Sequence, residues 1–237
     1  MRLASIASVF ATSIGQYFAQ KPFPVACSIS NQATEATPRQ VRAILKGKGM
    51  KVATFLGYSG AEYEDPAAML EHANHILDGL DPWGTVINAG ATAQGIGAVY
   101  EIAKRRGFTT TGIVSTQARE QGVALSRFVD CSFYVIDTTW GGYLPGTTTL
   151  SPTSTAMVTS SDWLIAIGGG EVARDELHAA TSLGKRVMFI PADMDHRIAQ
   201  EKAASKNLVA PTDYRGAAHA DFAPAHTLSS DATIGCA

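Results

Sequence analysis

Apolar and polar positions along this chain switch repeatedly between two periods. Short, nearly continuous apolar runs at Lys51–Leu56, Thr85–Asn88, Thr110–Val114, Phe133–Ile136, Trp163–Ile167 and Lys185–Ile190 predict strands buried on both faces. Helical spacing fills the gaps. A threonine cap and first-turn proline, Thr37-Pro38, open a helix that runs to about Lys46 and stops at Gly47 and Gly49. Asp65-Pro66 opens another, with Ala68, Leu70 or Met69, Ala73, Ile76, Leu77 and Leu80 on one side. Ala98–Arg106, ended by Gly107, and Glu171 to about Leu183 complete the set. Strands alternating with helices of about ten residues predict an α/β, Rossmann-like fold. Its sheet is doubly wound and mainly parallel, with helices on both faces. The expected division is an N-terminal extension and linker over 1–36, the domain over 37–210 and a C-terminal tail over 211–237. Thr138–Ser161, rich in Thr, Ser and Gly, is too polar for core and too long for a connection, and reads as a lid.

Composition narrows the function. With 46% hydrophobic and 17% charged residues the 237-residue chain can bury a full core, and one main domain is expected. Nineteen basic against 21 acidic residues leave a net charge of -2, without the basic excess that phosphate-backbone binding demands, so nucleic acid is not the expected partner. No run reaches the roughly 18 to 20 apolar residues of a membrane span. Cys27, Cys131 and Cys236 lie far apart, so neither a disulfide framework nor a zinc cluster is expected and a cytoplasmic location follows. Residues 1–34 carry Arg2 and Lys21 but no acid. They have the outline of a weak signal or transit peptide, and also, through Leu3, Ile6, Phe10, Ile14, Tyr17 and Phe18, that of an added helix packed on the domain or a partner.

Two glycine-rich turns each join a strand to a helix: Asn88–Gly97 and Gly168–Glu176. Each would set backbone N–H groups and a positive helix end at the carboxyl edge of the sheet, where phosphates bind in such folds. No Gly-Lys-Ser/Thr follows either, and Gly90, Gly95 and Gly97 are not spaced as GxGxxG, which disfavours kinase and ordinary NAD dehydrogenase readings.

In order and spacing these turns resemble the SLOG superfamily, the Rossmann-like group that includes the LOG and DprA proteins. Asn88–Gly97, Val99–Gly107 and Thr111-Gly-Ile-Val114 are similar to its first glycine turn, helix and strand. Asp162–Gly170, Glu176-Leu177 and Gly184-Lys185 are similar to its second half. The resemblance spans about residues 50–195. Against the PGGxGTxxE motif of the LOG subgroup, Gly168 stands at the proline, Gly169 and Gly170 at the glycine pair and Glu176 at the final glutamate. Val172 and Ala173 replace Gly-Thr. That subgroup hydrolyses a nucleoside monophosphate to base and ribose phosphate with this glutamate and an arginine of the preceding helix, and Pro152–Val158 holds no arginine. Related folds pair through their helices, so the resemblance implies a homo-oligomer.

The residues expected to touch a nucleotide-type small molecule are Ser59 of the first strand's turn, Gly90, Ala91, Thr92 and Gly95, then Gly168, Gly169, Gly170, Glu171 and Arg174. Glu176 is the candidate catalytic carboxylate, since glycosidic cleavage builds positive charge on the sugar. Glu101 is a further carboxylate, and Arg119 or Arg127 a substitute for the missing cation. No metal or cofactor is expected: His72 and His75 read as a helix surface, His219 and His226 as tail residues. Trp140, within Trp140–Pro145, can stack a base or anchor its loop. Three functions follow: a protein that binds a nucleotide-type ligand as a sensor or carrier or with weak hydrolase activity, a phosphoribohydrolase, or an interaction module with a vestigial site.

Overall fold

The computed structural model describes residues 33–226. Seven parallel strands form one sheet in the order β1-β5-β4-β3-β2-β6-β7. They are β1 (Ala33–Glu35), β2 (Lys51–Gly57), β3 (Thr85–Ala89), β4 (Thr109–Ser115), β5 (Cys131–Val135), β6 (Trp163–Ile167) and β7 (Arg186–Ile190). The chain runs outward from β2 through β3 and β4 to β5, then returns to place β6 on the other side of β2. Strand order therefore reverses at the β2/β6 pair, the crevice where open α/β sheets bind ligands.

Strand alternation explains the two cores. Val52 and Leu56 of β2 pack under α1 (Pro38–Lys46), α5 (Pro152–Ser160), α6 (Glu171–Ser182) and α8 (Ala217–His226), with Leu45, Met157, Leu177 and Phe222. Ala53 and Phe55 pack on the opposite face with Met69, Ala73 and Leu77 of α2 (Pro66–Asp78) and Tyr100 of α3 (Val99–Arg105). The expected helix start at Thr37 is a capping box, in which Thr37 Oγ1 accepts from Gln40 N and Gln40 Oε1 accepts from Thr37 N at 2.8 Å.

Four expectations are corrected. The 138–161 stretch is not a lid, because its second part is α5, with Ser151, Thr153, Ser154, Ser160 and Ser161 all buried. Ser161 and Ser154 have partners, Ser161 Oγ donating to Met157 O at 2.7 Å and Ser154 Oγ to Glu176 Oε1 at 2.6 Å, whereas Thr153 Oγ1 and Ser160 Oγ are buried without one. Residues 217–226, expected in a tail, form α8, whose Phe222 and Ala218 lie in the core against α6 and β7. Within the expected linker, Ala33–Glu35 adds β1 to the sheet edge beside β5. Cys131, expected outside any disulfide, is disulfide-bonded, since distance along the sequence says nothing of distance in the fold. Two short elements were also not expected, α4 (Thr116–Glu120) and α7 (His196–Ser205). The targeting segment and added helix of residues 1–34 lie almost wholly outside the described residues. Among those described, no helix is long and apolar enough to cross a membrane.

Candidate functional site

A cleft of about 710 Å³ opens over the carboxyl ends of β4, β3, β2 and β6, a size suited to a small-molecule ligand. It crosses four strand ends, roughly 14 Å at about 4.8 Å per strand. Val114, Ala118, Val123 and Leu125 make an apolar wall at its β4 end. Gly90 and Thr92 follow after β3, Ser59 and Gly60 after β2, and Gly170, Glu171 and Glu176 after β6. The two glycine turns therefore flank the turn of β2 within one cleft.

Buried tyrosines fix that central turn. Tyr63 donates its hydroxyl to Ile167 O at 2.7 Å and accepts from Tyr58 N at 3.2 Å, tying the turn to the end of β6. Tyr58 donates to Arg215 O at 2.6 Å, and burial pushes its hydroxyl up to about 12, so it remains a donor at every physiological pH. Below the first turn, Asn88 accepts from Thr111 Oγ1 and donates to Thr54 Oγ1, both at 3.1 Å, locking β2, β3 and β4 together.

The second turn ends at Gly170, the N-cap of α6, which has no side chain to offer the first-turn N–H groups. By contrast Thr37, Asp65, Ser151 and Asp195 cap α1, α2, α5 and α7 with side-chain oxygens. Lys202 of α7 also lines the cleft, its Nζ donating to Gly60 O at 2.7 Å. Uncapped amides, a helix dipole end and an ammonium thus line one cleft.

Glu176 is 3% exposed and reaches the cleft from the second turn of α6. Burial, with Asp175 adding like charge, pushes its carboxyl up to about 8, against the hydrogen bond from Ser154. At neutral pH it is a carboxylic acid, able to give a proton rather than to hold a cation.

Of the expected ligand residues, Ser59, Gly90, Thr92, Gly170, Glu171 and Glu176 line the cleft. Ala91, Gly95, Gly168 and Gly169 instead shape the turns beneath it. Ala91 packs against Gly112, and a Cβ on Gly95 would fall 2.2 Å from Tyr58 O. Gly168, at φ +59°, presses on the Tyr58 ring, and Gly169 faces Ala173. Arg174 turns away to pair with Asp175 at 2.9 Å. Glu101 pairs with Arg105 on an exposed helix face, Arg119 pairs with Glu35 at 3.0 Å and Arg127 lies over the Phe128 ring, so none of these three sits on the cleft wall. Lys202, Thr153, Met157 and Tyr58 were missed. Lys202 sits on a helix not expected from the pattern, and Thr153 and Met157 lie in the stretch read as a lid. Tyr58 carried a signal, an aromatic inside a glycine turn. His72 and His75 are exposed on α2, and among the described residues no three histidine, cysteine, aspartate or glutamate side chains converge as a metal site.

No protein-family model matches the chain, and no curated protein matches its sequence significantly. Among solved structures it is similar to the Moco carrier protein of Chlamydomonas reinhardtii, at 18% identity and TM-score 0.44, over 67% of this chain and 85% of that one. The protein TM1055 aligns at 18% identity and TM-score 0.43, over 58% and 72% of the two chains. DNA processing protein A of Streptococcus pneumoniae aligns at 15% and 0.39, over 68% and 58%. At these identities the likeness is one of fold.

Proposed function

We propose that the cleft binds a nucleotide or nucleotide-derived small molecule, as a sensor or carrier, with its phosphate at the β2/β6 end. The observation that carries this reading is the uncapped N-terminus of α6 facing the same cleft as Gly60 and Lys202, at the point where strand order reverses. One phosphate there would accept the amides of the α6 first turn while Lys202 shifts from Gly60 O to the anion. The remaining length of the cleft suits a ribose and a base. Calorimetric titration with AMP, ADP-ribose and nicotinamide dinucleotides tests the reading. Adding the molybdenum cofactor tests the ligand named for the Chlamydomonas carrier. Saturable binding that weakens in Lys202→Ala supports it, and failure of every ligand to saturate removes it.

A second reading, a phosphoribohydrolase cleaving the N-glycosidic bond of a nucleoside monophosphate, is favoured by the protonated state of Glu176. The carboxylic acid would donate its proton to the departing base as the bond to the sugar breaks, while a water molecule adds its oxygen to the anomeric carbon and returns a proton to the Glu176 carboxylate. Release of free base from AMP, lost in Glu176→Gln while AMP binding persists, would distinguish hydrolase from carrier. We further expect the protein to be a homo-oligomer, which light scattering checks directly.

A further inference from the structure

The loop between β5 and α5 is built around the segment Trp140–Tyr143, whose backbone is held at three consecutive residues, Gly141 within the loop itself and Gly142 and Tyr143 to the body of the domain. Gly141 N donates to Thr139 Oγ1 at 3.2 Å, Gly142 N to Ser154 Oγ at 2.7 Å and Tyr143 N to Asp175 Oδ2 at 2.8 Å. Ser154 and Asp175 are themselves buried, on α5 and α6. The two glycines sit at φ +125° and +80°, where side chains are strained. A Cβ on Gly141 would meet Val172 Cγ1 at 2.9 Å, and one on Gly142 would meet Asp175 Oδ2 at 3.0 Å. The backbone is therefore pressed directly onto both helices.

What this fastening presents is Trp140, 48% exposed and lining the cleft beside Val172 and Met157. A large aromatic held half in water on an anchored loop is unused by the fold itself. The Ser154 hydroxyl that holds Gly142 also donates to Glu176, so the loop and the buried carboxyl are two hydrogen bonds apart. We propose that Trp140 is a fixed stacking wall for a planar heteroaromatic ring, with Glu176 facing the ring's polar edge. The proposal rests on the ligand-binding reading of the cleft and deepens it by naming the ring.

Tryptophan fluorescence isolates the effect, because of the three tryptophans Trp83 precedes β3 and Trp163 begins β6, both at the opposite edge of the sheet. The full-length protein and its Trp140→Ala and Trp140→Phe variants would be titrated with AMP and with ribose 5-phosphate, following emission and calorimetric heat. AMP should quench the wild type saturably. Trp140→Ala should weaken AMP about tenfold and leave ribose 5-phosphate unchanged, and Trp140→Phe should recover most of the loss. Equal AMP affinity in wild type and Trp140→Ala would overturn the stacking wall while leaving the cleft as a binding site. Binding of ribose 5-phosphate as tight as that of AMP would do the same. If neither compound binds the wild type, the wall as proposed fails, and the ligand-binding reading falls with it only when ADP-ribose, the nicotinamide dinucleotides and the molybdenum cofactor also fail to saturate.

Discussion

Ser154 Oγ lies 2.6 Å from Glu176 Oε1, giving a hydrogen bond to a carboxyl group that burial keeps protonated up to about pH 8. In the unfolded chain the same group ionises near its ordinary value of 4.5. Between these values the folded state holds a proton that the unfolded state has released, so stability falls as pH rises through the window and levels off above it. The slope is at most about 1.4 kcal/mol per pH unit. Glu176→Gln keeps the shape and has no proton to lose. Urea denaturation should show its advantage over wild type growing from pH 5 to pH 8. A difference that stays constant across the window would mean that Glu176 is already ionised in the fold.

The second glycine turn makes opposite demands at neighbouring positions. A Cβ at Gly168 would lie 2.6 Å from Tyr58 Cε2, in a left-handed backbone conformation, whereas a Cβ at Gly170 meets nothing within 4 Å and its φ is -85°. Gly168→Ala should cost about 2 kcal/mol or more. Gly170→Asp should cost nothing, since aspartate is a good N-cap. Equal losses in equilibrium unfolding would show that the turn is not packed as described.

Phe222 ties α8 to the domain, its ring tilted against His178 at 4.8 Å and Phe189 at 6.3 Å between ring centroids. It is 8% exposed. Phe222→Ala should therefore lower stability by about 3 kcal/mol in a single cooperative transition. An unchanged transition would return residues 217–226 to the status of an appendage.

The layered fold was legible because six of the seven strands are apolar runs bounded by glycine or helix signals. Lys51–Gly57 and Trp163–Ile167 are buried on both faces and could hardly be anything else. Positions around the switch point were legible for the same reason, since a glycine turn after such a strand must sit at the carboxyl edge. The misses have physical causes. Pro152–Ser160 is polar by composition but buried, because hydroxyls that pair with buried groups pass for surface in a hydropathy pattern. Lys202 reaches the cleft through the tertiary packing of α7, which no local period reports. Gly168 and Gly169 carry the right motif for contact, yet their buried, strained backbones serve the turn and leave the cleft to Gly170 and Glu171.

The most direct test of an anion site at the N-terminus of α6 is a thermal-shift titration of wild type and Gly170→Asp with AMP and ADP-ribose. The aspartate would cap the amides that the phosphate is proposed to use, placing a negative charge where the ligand's own must go. Ligand should raise the melting temperature of wild type by mass action, and Gly170→Asp should be at least as stable alone but gain nothing from either ligand. An equal ligand-induced shift in both proteins would contradict the anion site.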